Sequence, residues 1–498
     1  MAMIQISDLS FAYEGSYDDV FTHLTCQLDT GWRLGLIGRN GRGKTTLLRL
    51  LAGELNAHGA VHMPLAPVLF PFAIPEDGAA TLTVLRLCAP DAPEWRLRLE
   101  LSTLGVGEEA LSRPYRTLSR GEQTKAQLAA LFARDDRYPL IDEPTNHLDL
   151  RGRELVGDYL ATKDGFLLVS HDRAFLNRCI DHTLSLNRAT VTVQRGDFDV
   201  WEREFTRKNQ SEQQRNEQIK KDVTRLTESA RQKAEWSNRC EKGKFHVKPS
   251  DAAVADRGYI GARSAALMKR SLAVQARIDR DIEEKKSLLR DHERVEELKL
   301  SPIVHPKRQL IEVRGASVRY DGRTVCQGVT LRVERGERIA LTGRNGAGKS
   351  SILKALCGLS DALVGDVSVA SGLQVSYVPQ SAAHLQGDLR AFIRETDADE
   401  TLFKAILRNM DFGRQQFDKR IEQYSEGQKK KLLLARSLCE QAHLYVWDEP
   451  LNYIDVFSRM QLEALILEAQ PTMILVEHDR AFLERVATRT VDLDALEM

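Results

Sequence analysis

Paired cysteines are missing from this sequence. Its seven cysteines (Cys26, Cys88, Cys179, Cys240, Cys326, Cys357 and Cys439) are scattered singly, with no C-x-x-C pair and no Cys/His cluster at metal-ligand spacing. That pattern argues against structural zinc and predicts a reduced, cytosolic chain. Long apolar runs are missing too. No window approaches the ~18 uninterrupted apolar residues of a membrane-spanning helix. The opening MAMIQISDLSFAYEG has no basic stretch followed by an apolar run, so it does not read as a secretory signal. An excess of either charge is also absent, since 71 basic and 71 acidic side chains cancel. A chain that is basic throughout is thereby excluded, although a local basic patch is not. Finally, no glutamine occurs between Leu28 and Glu122.

What is present is a repeat. At 498 residues the chain is long enough for about three domains at ~150 residues each. The stretch LGLIGRNGRGKTTLL (Leu34–Leu48) returns as IALTGRNGAGKSSIL (Ile339–Leu353), and LSFAYEG, TLSRGEQTKAQLAALFA, YPLIDEPTNHLDL and LLVSHDRAFL each return in the same order at nearly the same offset. A period this long is a domain duplication rather than a solenoid. Each copy alternates short apolar strands with helical stretches, which predicts an α/β unit with a mostly parallel sheet.

Between the copies the texture changes. From about Trp201 the chain runs without proline or glycine to Trp236, dense in charge, with Ile219, Val223, Leu226 and Ala230 at helical spacing. After a break around KGKFHVKPSDAAVADRGYIGA, a second stretch carries Ile278, Ile282 and Leu289 on one stripe. Two long antiparallel helices joined by an irregular tip are expected. From Arg231 to Arg277 eleven basic side chains face four acidic ones. Such a patch is a footprint for RNA phosphates, and Phe245, His246 and Tyr259 are placed to stack on unpaired bases. The plainer alternative is a solvated spacer between domains.

The glycine-rich loops carry the chemistry. Gly38, Arg39, Asn40, Gly41, Arg42, Gly43, Lys44 and Thr45 fit G-x-x-x-x-G-K-[ST], with Thr46 after them. Gly343, Arg344, Asn345, Gly346, Ala347, Gly348, Lys349 and Ser350 fit it again, with Ser351 after them. In such a loop backbone N–H groups converge on phosphates, the lysine reaches the β and γ phosphates, and the hydroxyl ligates magnesium. The helix that follows adds its positive end. Asp142 and Asp448 each close an apolar run, where an aspartate can hold the metal. Glu143 and Glu449 follow directly and are placed to orient or deprotonate the attacking water.

The order of aromatic residue, P-loop, LSRGEQ, LIDEPTNHLD and SHD resembles an ATP-binding cassette domain, present twice. The resemblance implies that two ATP molecules are sandwiched between facing cassettes, each site borrowing the signature of the other half. It places Tyr13 and Tyr320 on the adenines. One site would join Gly38–Thr45, Asp142, Glu143 and His171 to Ser425, Gly427 and Gln428. The other would join Gly343–Ser350, Gln380, Asp448, Glu449 and His478 to Ser119, Gly121 and Gln123. Thr45, Ser350, Asp142, Asp448 and Gln380 would serve Mg2+, Glu143 and Glu449 catalysis, and His171 and His478 the γ-phosphate. Asp149 and Asp455 would lie at the seam. The first half departs from the pattern: LFPF (Leu69–Phe72) stands where the second half has YVPQ with Gln380, so two hydrolysable but unequal sites are expected.

Three readings of such a chain differ in what they do with the insert. A transporter ATPase gives it no role. A chromosome-maintenance ATPase places its coiled coil inside one cassette, whereas both cassettes here are complete. The ABC-F family, with twin cassettes and a helical linker that enters the ribosome, accounts for it. The resemblance therefore implies two tandem α/β P-loop NTPase cassettes joined by a long antiparallel α-helical hairpin. Residues 1–200 would be cassette 1, 201–302 the linker with a basic tip near 242–261, and 303–498 cassette 2. Lys44 to Ser119 spans 75 residues and Lys349 to Ser425 spans 76, so cassette 1 carries no added arm. LGLIGRNGRGKTTLL, LFPF and DRGYIGARSAALMKRS resemble the Lsa type of resistance member. That likeness implies ATP hydrolysis coupled to binding the 70S ribosome at the exit-tRNA site, near 23S rRNA of the peptidyl-transferase centre and the P-site tRNA. It also implies relief of lincosamides, streptogramin A compounds and pleuromutilins. Lys242, Lys244, Phe245, His246, Lys248, Tyr259, Arg263, Lys269 and Arg270 are the expected tip contacts. No membrane partner is expected, and the chain is expected to be a monomer off the ribosome. The alternative within the family is a housekeeping translation factor acting on stalled or initiating ribosomes.

Overall fold

A computed structural model describes residues 2–14, 19–74, 77–186, 191–243, 300–320, 323–396 and 398–496. By contacts the chain forms two compact units: Met1–Trp201 with Glu296–Met498, and Glu202–Val295. The first unit holds both cassettes.

Cassette 1 begins with strands β1 (Met3–Phe11) and β2 (Phe21–Asp29), followed by β3 (Arg33–Gly38), β4 (His58–His62), β5 (Ala66–Phe70), β6 (Arg137–Asp142), β7 (Phe166–Val169), β8 (His182–Leu186) and β9 (Val191–Arg195). Strands β2-β1-β4 form a small antiparallel sheet, and β5-β6-β7-β3-β8-β9 form the main sheet, parallel apart from its last pair. Strand β7 is wholly buried and β3 nearly so, as continuous apolar runs such as FLLV require when both faces of a parallel sheet are covered. The core between the two sheets packs Ile4, Ile6, Leu36, Leu47, Leu140 and Val169.

Cassette 2 repeats the plan. Strands β10 (Gln309–Tyr320), β11 (Arg323–Glu334) and β13 (Leu363–Val369) make the antiparallel sheet. Strands β12 (Arg338–Thr342), β14 (Val375–Val378), β15 (Leu444–Asp448), β16 (Met473–Val476) and β17 (Arg489–Asp492) make a five-stranded parallel sheet in the order β14-β15-β16-β12-β17. The fully buried Trp447 is held in register by an indole N–H donated to Ser437 Oγ at 2.9 Å.

This strand order positions the chemistry. In a parallel sheet ligands bind beyond the carboxyl ends of the strands. Neighbours β6, β7 and β3 end at Asp142, Val169 and Gly38, so the acidic pair, His171 and the P-loop emerge side by side. Neighbours β15, β16 and β12 do the same for Asp448, His478 and Gly343.

The linker starts as a 46-residue helix, Phe198–Gly243, three residues earlier than the sequence suggested and about 70 Å long at ~1.5 Å per residue. Phe198 is fully buried and Trp201 nearly so, so its first turn belongs to the cassette core. The expected second linker helix and the tip residues Lys244, Phe245, His246, Lys248, Tyr259, Arg263, Lys269 and Arg270 fall outside the described residues. Lys242 lies in the last turn of the first helix. Among the described residues no helix is long and apolar enough to cross a membrane.

Candidate functional site

Each P-loop ends in a helix whose N-cap is a glycine in the left-handed region, Gly43 at φ 82° and Gly348 at φ 89°. Neither cap offers a side-chain acceptor, so the first-turn N–H groups are left to a ligand, and the helix dipole favours an anion there. A Cβ on Gly43 would meet Val20 Cγ1 at 2.5 Å and Phe21 Cζ at 2.8 Å, so space and conformation both demand glycine. Lys44 Nζ donates to Gly38 O at 2.7 Å and Arg39 O at 3.1 Å, and Lys349 Nζ to Gly343 O at 2.7 Å and Arg344 O at 2.9 Å. Burial lowers the pKa of both lysines, opposed by the acidic residues around them.

The acidic pairs are placed alike and titrate differently. Glu143 and Glu449 sit at φ 48° and 46°, a left-handed conformation that costs a non-glycine residue about 1–3 kcal/mol. Their N–H groups are tied to Val169 O at 2.9 Å and Val476 O at 2.8 Å on the adjacent strand. Thr45 Oγ1 donates to Asp142 Oδ2 at 2.7 Å. Burial, with Asp142 beside it, pushes Glu143 up to about 8. Glu143 Oε1 is buried without a hydrogen bond, 3.3 Å from His171 Nε2. Burial and nearby cations hold His171 well below its ordinary value, hence neutral. In cassette 2, Asn452 Nδ2 donates to Glu449 Oε2 at 2.6 Å, and Gln380 and His478 flank the same carboxylate. Burial alone would raise Glu449, but these donors together hold it down at about 2.

The Asp448 carboxylate is fully buried, and neither oxygen has a partner of full hydrogen-bond geometry, although the Ser350 hydroxyl stands near it. Burial pushes it up to about 6. A buried orphan carboxylate beside a serine hydroxyl fits a divalent cation, as does the Thr45–Asp142 pair. Among the described residues no cluster of three His, Cys, Asp or Glu side chains could hold a metal unaided. A single carboxylate with a hydroxyl beside it leaves coordination positions for phosphate and water, as suits magnesium at a nucleotide.

The signature serines cap their helices. Ser119 Oγ accepts from Glu122 N at 3.2 Å, and Ser425 Oγ from Gln428 N at 3.3 Å, each inside a capping box. Glu122 is therefore the mate of Gln428. Gln123 turns inward, donating from Nε2 to Tyr115 O at 3.1 Å and Leu118 O at 3.3 Å, instead of facing the second loop.

One large cavity, about 640 Å³, brings the first expected site together. Asn40, Gly41, Gly43, Lys44, Thr45, Asp142, Glu143 and His171 line one side, and Ser425, Gly427 and Gln428 of the other cassette line the opposite side. Tyr13 stands at its edge with its hydroxyl 2.9 Å from Thr46 Oγ1. Asn40 Nδ2 donates across the boundary to Tyr453 O at 2.8 Å. Sequence reasoning passed over Tyr453, Asn146, Asp411, Gln416 and Lys431, which also line it. Asn146 and Tyr453, inside the DEPTNHLD and DEPLNYID stretches, were the findable ones.

At the second loop a small cleft of about 80 Å³ beside Gly343 and Arg344 is lined by Asp149, Leu150 and Arg151 of the first cassette together with Glu477 and His478. Asp149 and Asp455 cap the helices Leu150–Ala161 and Val456–Ala469 through Gly152 N and Ser458 N. The Tyr320 side chain lies outside the described part.

The ABC transporter family model matches residues 21–146 and 326–452, once per cassette. The chain belongs to the ABC-F family. This ABC-F protein is 29% identical to the ATP-binding protein Uup of Caulobacter vibrioides, over 95% of this chain and 75% of that one. It is 27% identical to the ribosome protection protein VmlR of Bacillus subtilis, over 95% and 84%. Its fold matches, at a TM-score of 0.64 and 19% identity, a chain in the crystal structure of archaeal ribosomal stalk protein aP1 with the archaeal ribosome recycling factor aABCE1, covering 97% of this chain and 87% of that one. The twin cassettes make the ABC-F protein an ATPase.

Proposed function

We propose that this ABC-F protein hydrolyses ATP while bound to the bacterial 70S ribosome at the exit-tRNA site, and that its linker relieves antibiotics of the peptidyl-transferase centre. The observation that carries the reading is the 640 Å³ cavity built from both cassettes, because a ligand filling it must hold the two halves together. Likeness to VmlR over 95% of the chain supports the ribosome as partner. The Lsa-like stretches support lincosamides, streptogramin A compounds and pleuromutilins as the drugs, 23S rRNA and the P-site tRNA as tip contacts, and a monomer off the ribosome.

In this reading each P-loop binds phosphates through its amides and its lysine. The hydroxyls of Thr45 and Ser350 with Asp142, Asp448 and Gln380 would hold Mg2+, which when bound would supply charge neutralisation at the phosphates. Tyr13 and Tyr320 contact the adenines. Ser425, Gly427 and Gln428 close the first site, and Ser119 and Gly121 close the second. Glu143 and Glu449 position water and take its proton, with His171 and His478 beside them. Glu449 is ionised but a weak base, held by three donors. Glu143 is the stronger base once its proton has left. Unequal turnover at the two sites follows. ATP favours the closed form, the ribosome binds that form better, and hydrolysis releases the protein.

The test is drug susceptibility in a sensitive host at matched expression. Wild type is compared with Glu143→Gln/Glu449→Gln and with a deletion of Lys242–Gly261. Protection against lincomycin, tiamulin and virginiamycin M, lost in both variants and absent for erythromycin, linezolid and tetracycline, is the expected result. No protection, with the protein still pelleting with ribosomes in ATP, would instead indicate a translation factor.

A further inference from the structure

The first P-loop touches the other cassette through more than its ligand cavity. The Arg39 guanidinium lies over the Phe457 ring, 5.6 Å from its centroid. Phe457 stands in the first turn of the helix Val456–Ala469, two residues after Asp455, and is 8% exposed. Its ring meets Trp201 edge-on, with centroids 5.5 Å apart and planes at 82°. Trp201 packs on Phe198 at 5.2 Å, and these two residues are the first turn of the 46-residue linker helix. A guanidinium over an aromatic face is attracted by the ring quadrupole, most strongly where water is excluded. Edge-on aromatic pairs prefer this geometry over others, so movement of one ring is felt by the next.

The repeat supplies an internal control. Arg39 corresponds to Arg344, and Phe457 corresponds to Arg151, two residues after Asp149. At the second loop an arginine therefore stands where the first has an aromatic ring, and both arginines line the small cleft there. Arg344 instead turns to Asp494 of its own cassette, with Nε 3.2 Å from Oδ1.

We propose that Phe457 is a positioning residue that ties the first P-loop to the root of the linker helix, so that nucleotide at the first site, and not at the second, sets the environment of Trp201. The inference rests on the assignment of the 640 Å³ cavity to ATP. In this arrangement a phosphate in the first loop fixes the backbone at Gly38–Gly43, Arg39 fixes Phe457, and Phe457 fixes Trp201. The linker root thereby receives a signal from one of two nominally equivalent sites.

Full-length protein labelled with 5-fluorotryptophan has five fluorine signals, one per tryptophan, and Trp201→Phe assigns one of them. With magnesium and a non-hydrolysable ATP analogue, the Trp201 signal is expected to move. That response is expected to vanish in Lys44→Ala and to persist in Lys349→Ala. It is also expected to vanish in Phe457→Leu, which still binds analogue, and to return in Phe457→Tyr. The two lysine variants stand as a test even where Phe457→Leu fails to fold. A response that disappears in Lys349→Ala, or that is undiminished in a folded Phe457→Leu, overturns the proposal. Analogue that binds with the Trp201 signal unmoved overturns it and leaves the ATP assignment standing. Failure of the native protein to bind analogue removes both.

Discussion

Glu143 and Glu449, the proposed catalytic pair, differ in the nucleotide-free protein by their surroundings alone, and replacing each by glutamine exposes the difference. Moving a carboxyl from its ordinary 4.5 to about 8 corresponds to about 5 kcal/mol against the ionised form, at about 1.4 kcal/mol per tenfold change in proton activity. Glu143 keeps its proton in the folded chain while the unfolded chain loses it near pH 4.5. Its contribution to stability is therefore full below about pH 4.5 and falls as pH rises toward 8. At pH 7 roughly 3 kcal/mol of that contribution is already gone. Glu143→Gln carries no titrating group, so without nucleotide the variant should gain on wild type steadily from pH 5 to pH 8. Glu449 has the opposite sign. Its value of about 2 lies below 4.5, so its contribution is present above pH 4.5 and is lost as pH falls toward 2. Glu449→Gln should cost up to roughly 3 kcal/mol near neutrality. The assay is thermal melting against pH for wild type and both variants; about 2–4 °C per kcal/mol is expected for a cassette of this size. Parallel pH profiles for wild type and Glu143→Gln, or Glu449→Gln melting above wild type at pH 7, would refute the reasoning.

Among the ion pairs that cross the cassette boundary, two should differ in weight. Arg173 is almost fully buried against Glu463, which also accepts from Arg485, so Glu463→Ala should cost about 3–5 kcal/mol in denaturant unfolding. Arg480 and Glu154 are exposed, and Arg480→Ala should cost about 0–1 kcal/mol in the same experiment. Gly41 and Gly43 share φ 82°, but only Gly43 faces Val20 and Phe21, so Gly43→Ala should lower the melting temperature more than Gly41→Ala. Single-turnover hydrolysis by Glu143→Gln and Glu449→Gln should be unequal, and equal rates would remove the asymmetry.

Much of this was readable in the sequence because it is local. A P-loop, an aspartate closing an apolar strand and a serine capping a helix are decided by residues within a few positions of one another, and all three appear where the repeats placed them. The capping box also carried the equivalence of Glu122 and Gln428, although reading the motif as letters paired Gln123 with Gln428 instead. What was not readable depends on distant packing. Asn40 meets Tyr453 across 413 residues of chain, and nothing near either one signals it. The absence of a glutamine between Leu28 and Glu122 pointed to unequal sites. It did not foretell that Phe72 N donates to Gln127 Oε1 at 2.9 Å, nor that Glu143 lacks the amide donors that Asn452 and Gln380 provide to Glu449. The linker tip, the part most tied to the proposed drug relief, lies outside the described residues and rests on charge and aromatic pattern.

The measurement that bears most directly on the account is co-sedimentation of the full-length chain with bacterial 70S ribosomes. Wild type and Glu143→Gln/Glu449→Gln are each compared in ATP and in ADP. The double variant should pellet with ribosomes in ATP and remain in the supernatant in ADP, while wild type, able to hydrolyse and leave, pellets less. Pelleting that is independent of nucleotide, or a double variant that stays in the supernatant with ATP, would contradict an ATP-closed, ribosome-binding form.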